Sequence, residues 1–278
     1  AALTVRWLTA SPSPRIATGV ILASLLVAPP VFAAQKYIVI SDSLAANAEQ
    51  LDVKSGAQWM GKIRKWRFGE YAVAASRNGG TSESTTSNLF KTKVESKSSE
   101  VFAFVLTDNA PDSASVSARR NSVVHSSQAM PLGKGWTLGT DQVAQEADSV
   151  TAVITIHGDP GETWSLRMCG SGGQNPEGDG GEQLLSDGAR RITLVFVSSV
   201  KDGDQPRHTP LVSLTVPAFG FEFVEDGRSL GAVQYCGGSS GGPAGMNKYV
   251  VWMRRDLDAR MKLVLAAAMT TILQLFAA

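Results

Sequence analysis

Short runs in which apolar and polar residues alternate recur along the chain after residue 62, and they predict β-strands. Asp226-Gly227, the pair that two-residue hairpin turns prefer, stands between two of these runs. No helical pattern separates the strands, so we predict a mainly β protein, an antiparallel β-sandwich of one or two modules. The runs are residues 63–68, 70–76, 101–107, 151–157, 163–169, 191–200, 211–216, 219–225, 228–235 and 249–253.

Polar stretches between these runs give weaker predictions. Residues 88–96 and 101–107 favour a hairpin that turns at residues 97–99. Residues 108–149, rich in Ser, Ala, Gly and Gln, predict either a long surface excursion or a boundary between two modules. We place a boundary near residue 145, which gives β-rich regions at 35–145 and 146–278.

Helical patterns occur only near the two ends of the region after residue 34. Ser43 is a suitable N-cap for a short helix over residues 44–51. After Asp256, a second N-cap candidate, apolar residues recur at three- and four-residue spacing and predict a C-terminal amphipathic helix. Its uncharged run from Leu263 is only about 24 Å long, short of the roughly 30 Å hydrocarbon core of a membrane. We therefore favour packing on the sheet, with membrane contact as the alternative.

The first 34 residues have the layout of a secretory signal peptide. Arg6 and Arg15 are their only charges, and they precede an apolar run over residues 16–27. Val31 and Ala33 fit the small-residue rule for cleavage after Ala33 or Ala34. No asparagine after residue 34 stands in an Asn-x-Ser/Thr sequon, which favours a bacterial source. We predict export to the periplasm or the extracellular space.

The net charge argues against a nucleic-acid partner, and the two cysteines are candidates for a disulfide. The whole chain has a net charge of +1, and both charges of residues 1–34 are basic, so the exported part is close to neutral. A near-neutral chain has no global field that attracts nucleic acid. Cys169 and Cys236 each end a predicted strand before a Gly-rich stretch. Because exported proteins retain disulfides, we predict a Cys169–Cys236 bridge, with two free buried thiols as the alternative.

The densest basic run is Lys62-Ile-Arg-Lys-Trp-Arg-Phe68. Two interpretations are open. The run is a candidate surface for an anionic envelope glycan, a glycolipid or a protein partner, through Lys62, Arg64, Lys65, Trp66 and Arg67. Alternatively, it is a strand whose charges prevent edge-to-edge association while its aromatic residues pack inward.

Catalytic and metal motifs are weak. Residues 236–243, Cys-Gly-Gly-Ser-Ser-Gly-Gly-Pro, resemble the nucleophile segment of trypsin-like serine proteases, and the resemblance implies Ser240 as the nucleophile. The Asp that precedes the family's nucleophile is replaced by Ser239, and the family's histidine motif is missing around His125, His157 and His208.

No histidines have metal-ligand spacing, and the acidic, glycine-containing segments 175–182 and 201–204 do not match a calcium loop. We predict neither a metal nor a cofactor.

These features together favour an exported bacterial envelope protein that binds a partner or has a structural role and has no enzymatic activity. The alternative is a secreted hydrolase whose histidines, Ser240 and carboxylates converge only in the fold.

Overall fold

A computed structural model describes the chain over residues 37–56, 63–87, 93–108, 111–127, 130–133, 136–138, 142–158, 161–170, 183–198, 218–237 and 249–276. The predicted signal peptide, residues 1–34, lies outside the described residues, and so does the predicted strand 211–216. Residues 34–278 form one compact unit.

Antiparallel strands dominate this unit, as the sequence predicts. The two helices in the described part of the chain are α1 (Asp42–Asn47) and α2 (Ala259–Phe276). The strands are β1 (Ala48–Asp52), β2 (Lys54–Ser55), β3 (Trp66–Phe68), β4 (Tyr71–Ser87), β5 (Lys93–Thr107), β6 (Ser113–Ser127), β7 (Met130–Gly133), β8 (Trp136–Leu138), β9 (Gln142–His157), β10 (Glu162–Gly170), β11 (Leu184–Ser186), β12 (Arg191–Ser198), β13 (Phe219–Glu225), β14 (Arg228–Cys236) and β15 (Val250–Arg254).

One sheet contains thirteen of these strands, and its two edges are consecutive in the chain. The order is β1-β15-β14-β13-β12-β11-β10-β9-β6-β5-β4-β3-β2, and β7 pairs with β8 separately. Only Val53 separates β1 from β2, and its N–H donates to the carbonyl of Tyr249 at 3.2 Å. The sheet is therefore nearly barrel-shaped. The two facing sheets of a sandwich are not confirmed.

Helix α2 is the core of this near-barrel. Residues 263–273 are all buried, so no side of the helix faces solvent over three turns. The side chain of Gln274 accepts a hydrogen bond from Trp66 of β3, and the carbonyl of Leu275 accepts one from Arg120 of β6. The sheet thus surrounds the helix.

The predicted amphipathic character of α2 is wrong for this reason. An amphipathic helix would expose its polar residues, yet Thr270 and Thr271 are fully buried. Their hydroxyls donate to the carbonyls of Ala266 and Ala267 one turn earlier, which satisfies them inside an apolar core. The helix is long and apolar enough to cross a membrane, yet it is 72% buried in the protein. Its N-terminus is capped by Asp258, not Asp256, since the Asp258 side chain accepts from the Met261 N–H.

A second, smaller core covers the outer face of the sheet. Helix α1 and Ile38 pack there against β14 and β15, with Leu44 and Trp252 among the buried side chains. The predicted helix over residues 44–51 ends earlier, at Asn47, because Ala48–Asp52 instead pairs with β15 as an edge strand of the near-barrel.

Four long strands, β4, β5, β6 and β9, continue past the helix end as a projecting sheet. The predicted hairpin turn at residues 97–99 is wrong, because these residues lie inside the continuous β5 ladder with β4 and β6. The predicted boundary near residue 145 falls within β9, and the sheet continues across it. Most of β4 beyond Val73 is exposed. The polar residues in this part of β4 therefore form a strand whose side chains are mostly exposed to solvent.

Candidate functional site

The predicted basic run lies partly on the outside of the barrel and partly in its core. Trp66 and Phe68 of β3 are each 1% exposed and point toward the helix, while Lys65 and Arg67 alternate with them and are exposed. This alternation follows from the two-residue period of a strand. Burial of Trp66 and Phe68 fits the interpretation that the aromatic residues anchor the strand.

Arg64 and Trp66 form a rigid corner at the helix end. The Arg64 guanidinium lies 5.7 Å from the centre of the Trp66 ring, within cation–π range. The Arg64 N–H and the Trp66 indole N–H both donate to the side-chain oxygen of Gln274, at 3.3 and 3.2 Å. Trp66 also packs edge-on against Tyr249 at 5.3 Å. Lys62, the remaining predicted residue, lies outside the described residues.

Lys54 adds a third exposed cation to Lys65 and Arg67, and we name this set the basic triad. Lys54 of β2 is directly opposite Arg67 of β3 in the ladder. Directly opposite residues share a face with Cβ atoms about 5 Å apart, and Lys65 follows on that face about 7 Å from Arg67. Within the described residues, no carboxylate lies within 4.0 Å of the charged nitrogens of the basic triad. Asp52 is on the same strand face as Lys54 but has an interaction of its own.

Lys54 is not among the residues predicted from the sequence. An isolated Lys in a short polar segment carries no signal in the sequence. Only the pairing of β2 with β3, across residues not joined by a recognisable hairpin, brings it next to Arg67. The basic triad is therefore a product of barrel closure.

The histidines of the hydrolase hypothesis do not converge where they are described. His125 pairs with Gln145 of β9, and His157 lies twelve residues further along that strand, about 40 Å away at roughly 3.4 Å per residue. His157 Nε2 is 2.6 Å from the hydroxyl of Ser115, and His125 Nδ1 is 3.8 Å from a carboxylate oxygen of Glu95. His208 and Ser240 lie outside the described residues, as do the acidic segments 175–182 and 201–204. Within the described ranges, no group of His, Cys, Asp and Glu has the geometry of a metal site.

The predicted Cys169–Cys236 disulfide is not present in this structure. Cys169 lies on β10 and Cys236 on β14, and the strands β11, β12 and β13 separate them in the sheet. Strands about 4.8 Å apart place such residues well beyond the 7 Å Cα separation that a bridge tolerates. Burial raises the pKa of the Cys236 thiol.

A buried carboxylate outside the barrel wall was also missed. Glu222 of β13 is 6% exposed and accepts hydrogen bonds from the Ser41 N–H at 3.3 Å and from the Ser41 hydroxyl at 2.5 Å. The Ser41 hydroxyl also lies 2.9 Å from that of Ser229. Nearby, the buried Gln234 side chain accepts from the Ile38 N–H at 3.1 Å. These contacts fix the segment before α1 to the sheet, which is a structural role.

No protein-family model, no curated protein and no solved structure matches this chain.

Proposed function

We propose that this chain is an exported bacterial envelope protein, periplasmic or extracellular, that binds an anionic partner without catalysing a reaction. Support for export comes from the signal-peptide pattern of residues 1–34. Support for binding comes from the basic triad on the outer face of the barrel. The partner class is an envelope glycan, a glycolipid or an acidic protein surface.

The observation that carries the proposal is the direct cross-strand pairing of Lys54 with Arg67. Like charges directly opposite each other destabilise a sheet. Lys65 adds a third positive charge on the same face. A bound anion offsets this repulsion, and the rigid Trp66 and Phe68 anchors hold the strand in place for it.

The test is binding of the purified exported chain to lipopolysaccharide, to its dephosphorylated form and to neutral dextran. We expect binding to lipopolysaccharide that weakens with salt and with loss of phosphate, because exposed charges are screened at higher ionic strength. The variant Lys54→Gln, Lys65→Gln, Arg67→Gln is expected to bind about tenfold more weakly, as three surface ion pairs of about 0.5 kcal/mol each are lost.

A matched control removes the same charge elsewhere on the exposed surface. Arg77→Gln, Arg119→Gln, Arg167→Gln lowers the net charge equally at exposed positions on β4, β6 and β10. Equal weakening by both triple variants would show a general charge effect and would remove the basic triad from the proposal.

Export has its own test. Residues 1–34, preceded by an initiator Met, are fused to a reporter enzyme that is active only outside the bacterial cytoplasm. We expect reporter activity and a mature junction after residue 33 or 34, with Leu25→Arg in the apolar run as the inactive control. A reporter that stays inactive in both fusions contradicts the export proposal.

No observation in the described part of the chain favours the hydrolase alternative. His125 and His157 lie near opposite ends of the four long strands. A general base works only within hydrogen-bond reach of its nucleophile.

A further inference from the structure

The seam of the near-barrel is the place where its two edge strands, β1 and β2, meet. A polar hollow of about 220 Å³ opens there. At the seam, β1 pairs with β15 on one side, while β3 pairs with β2 and β4, so the described ladders leave β1 and the β3–β4 turn unjoined. Across this gap, the side chain of Leu51 of β1 lies next to Gly69 of the turn. The hollow is therefore a consequence of incomplete barrel closure.

Charges of both signs line this seam hollow. Glu49 of β1 and Glu70 of the β3–β4 turn supply carboxylates. Arg255, which follows β15, and Lys262, in the first turn of α2, supply cations. Arg254 also lines the hollow, and its guanidinium donates to both carboxylate oxygens of Asp256, at 2.8 and 3.0 Å. No charged nitrogen of Arg255 or Lys262 lies within 4.0 Å of a carboxylate oxygen of Glu49 or Glu70, all four being described residues. Opposite charges thus share one small hollow without neutralising each other directly.

The remaining lining sets the character of the hollow. Lys262 Nζ donates to the carbonyl of Arg255 at 3.0 Å, which uses one of its three donors. Tyr71 is buried, and its hydroxyl interacts with Glu70. Leu51 and Met253 provide apolar contact area. The site combines carboxylates, cations and a small apolar surface.

We propose that the seam hollow binds a small zwitterion, a free amino acid or a molecule of that size and charge. The ligand's ammonium group lies against Glu49 and Glu70, and its carboxylate lies against Arg255 and Lys262. A simple anion or cation pairs with only one of the two kinds of charge in the hollow, whereas a zwitterion pairs with both. The volume is below the roughly 300–1,000 Å³ of pockets for drug-sized ligands, which selects a smaller molecule.

This site is independent of the basic triad, with which it shares no residue.

The test is isothermal titration of the full exported chain with glycine, serine, leucine and glutamate. The matched probes are the N-acetyl derivative and the methyl ester of each amino acid, which lack one of the two charges. We expect the zwitterions to bind and each derivative to bind at least about tenfold more weakly.

Two single variants locate the binding. Glu49→Gln and Arg255→Gln change exposed side chains and are each expected to weaken zwitterion binding about tenfold, the loss of one charge-assisted contact. Glu83→Gln and Arg77→Gln, exposed on β4, are the controls and are expected to bind as the parent does. Circular dichroism melting confirms that each variant is folded.

Three results would overturn the proposal. One is no detectable binding of any of these amino acids up to about 10 mM, weaker than a useful affinity for a small ligand. Another is equal affinity for the zwitterions and their single-charge derivatives. The third is unchanged binding in both folded hollow variants.

Discussion

Gly231 of β14 packs directly against Met269 of the enclosed helix: a Cβ atom at Gly231 would lie 2.7 Å from Met269 Cε and 2.8 Å from the carbonyl oxygen of Trp252. The Met269 side chain can move, but the backbone carbonyl of a paired strand cannot do so without breaking the ladder. This glycine therefore sets how closely the sheet approaches the helix.

Gly231→Ala is expected to lower the free energy of unfolding by about 1–3 kcal/mol, the usual cost of overpacking a core. Urea denaturation measures it. Gly161→Ala is the matched control, because no atom lies within 4 Å of the corresponding Cβ position. Equal stability of the two variants would show that the sheet does not approach the helix this closely.

Enclosure of the helix on all sides gives a second prediction. Ala267→Lys places a charge at a fully buried position, so we expect insoluble or unfolded protein, since an unpaired buried charge costs several kcal/mol. Ala259→Lys, at the exposed start of the same helix, is expected to leave the melting temperature nearly unchanged. Soluble, folded Ala267→Lys protein would instead support the amphipathic helix that the sequence predicts.

Asp256 gives a prediction about acid stability. The guanidinium groups of Arg254 and Arg228 lower the pKa of the Asp256 carboxyl from 3.8 to about 2. Because the pKa is lower in the folded state, this contribution to stability is complete above about pH 4 and is lost as the pH falls toward 2. Asp256→Asn should therefore reduce the melting temperature at pH 6 more than at pH 2. The control is Glu83→Gln, which replaces an exposed acid on β4. If Asp256→Asn lowers the melting temperature equally at pH 6 and pH 2, the proposed role of Asp256 is wrong.

The cysteines give a chemical test of the sheet order. We expect two titratable thiols in the exported protein after unfolding without reductant, because β10 and β14 are not neighbours. In the native protein the raised pKa of Cys236 should make its alkylation at pH 8 slower than in the unfolded chain, since the thiolate is the reactive form. Cys169→Ser isolates the Cys236 signal. Absence of thiols before reduction would show that export produces a bridge.

Sequence patterns correctly predicted the turns and strands that are determined by residues within one short stretch of chain. The Asp226-Gly227 turn is present with positive φ at both residues, 49° and 75°, and it joins β13 to β14 as expected. The ladder of β9 with β10 also matches the predicted strands 151–157 and 163–169. In each case, turn chemistry and alternation lie within one short stretch of chain, so the pattern carries the whole signal.

Elements whose character depends on distant residues were not predictable. Thr270 and Thr271 indicate polar helix positions until the surrounding sheet is known, because it is the near-barrel that buries them. Lys97 suggests a turn, yet its neighbours β4 and β6 keep it in a strand. The basic triad likewise depends on Lys54, whose position follows from barrel closure.

Arg120 joins the projecting sheet to the end of the enclosed helix. Its guanidinium donates to both carboxylate oxygens of Asp148, with a shortest distance of 2.6 Å, and to the carbonyl of Leu275 at 3.4 Å. A cation here also interacts favourably with the helix C-terminus. Arg120→Gln should therefore destabilise the protein by about 1–3 kcal/mol, and a double-mutant cycle with Asp148→Asn should give a coupling energy of at least about 0.5 kcal/mol. Arg119→Gln removes the adjacent, exposed arginine on the opposite face of β6 and is expected to change stability by less than about 0.5 kcal/mol. If both arginine variants behave alike in urea denaturation, the two elements are not held together through this ion pair.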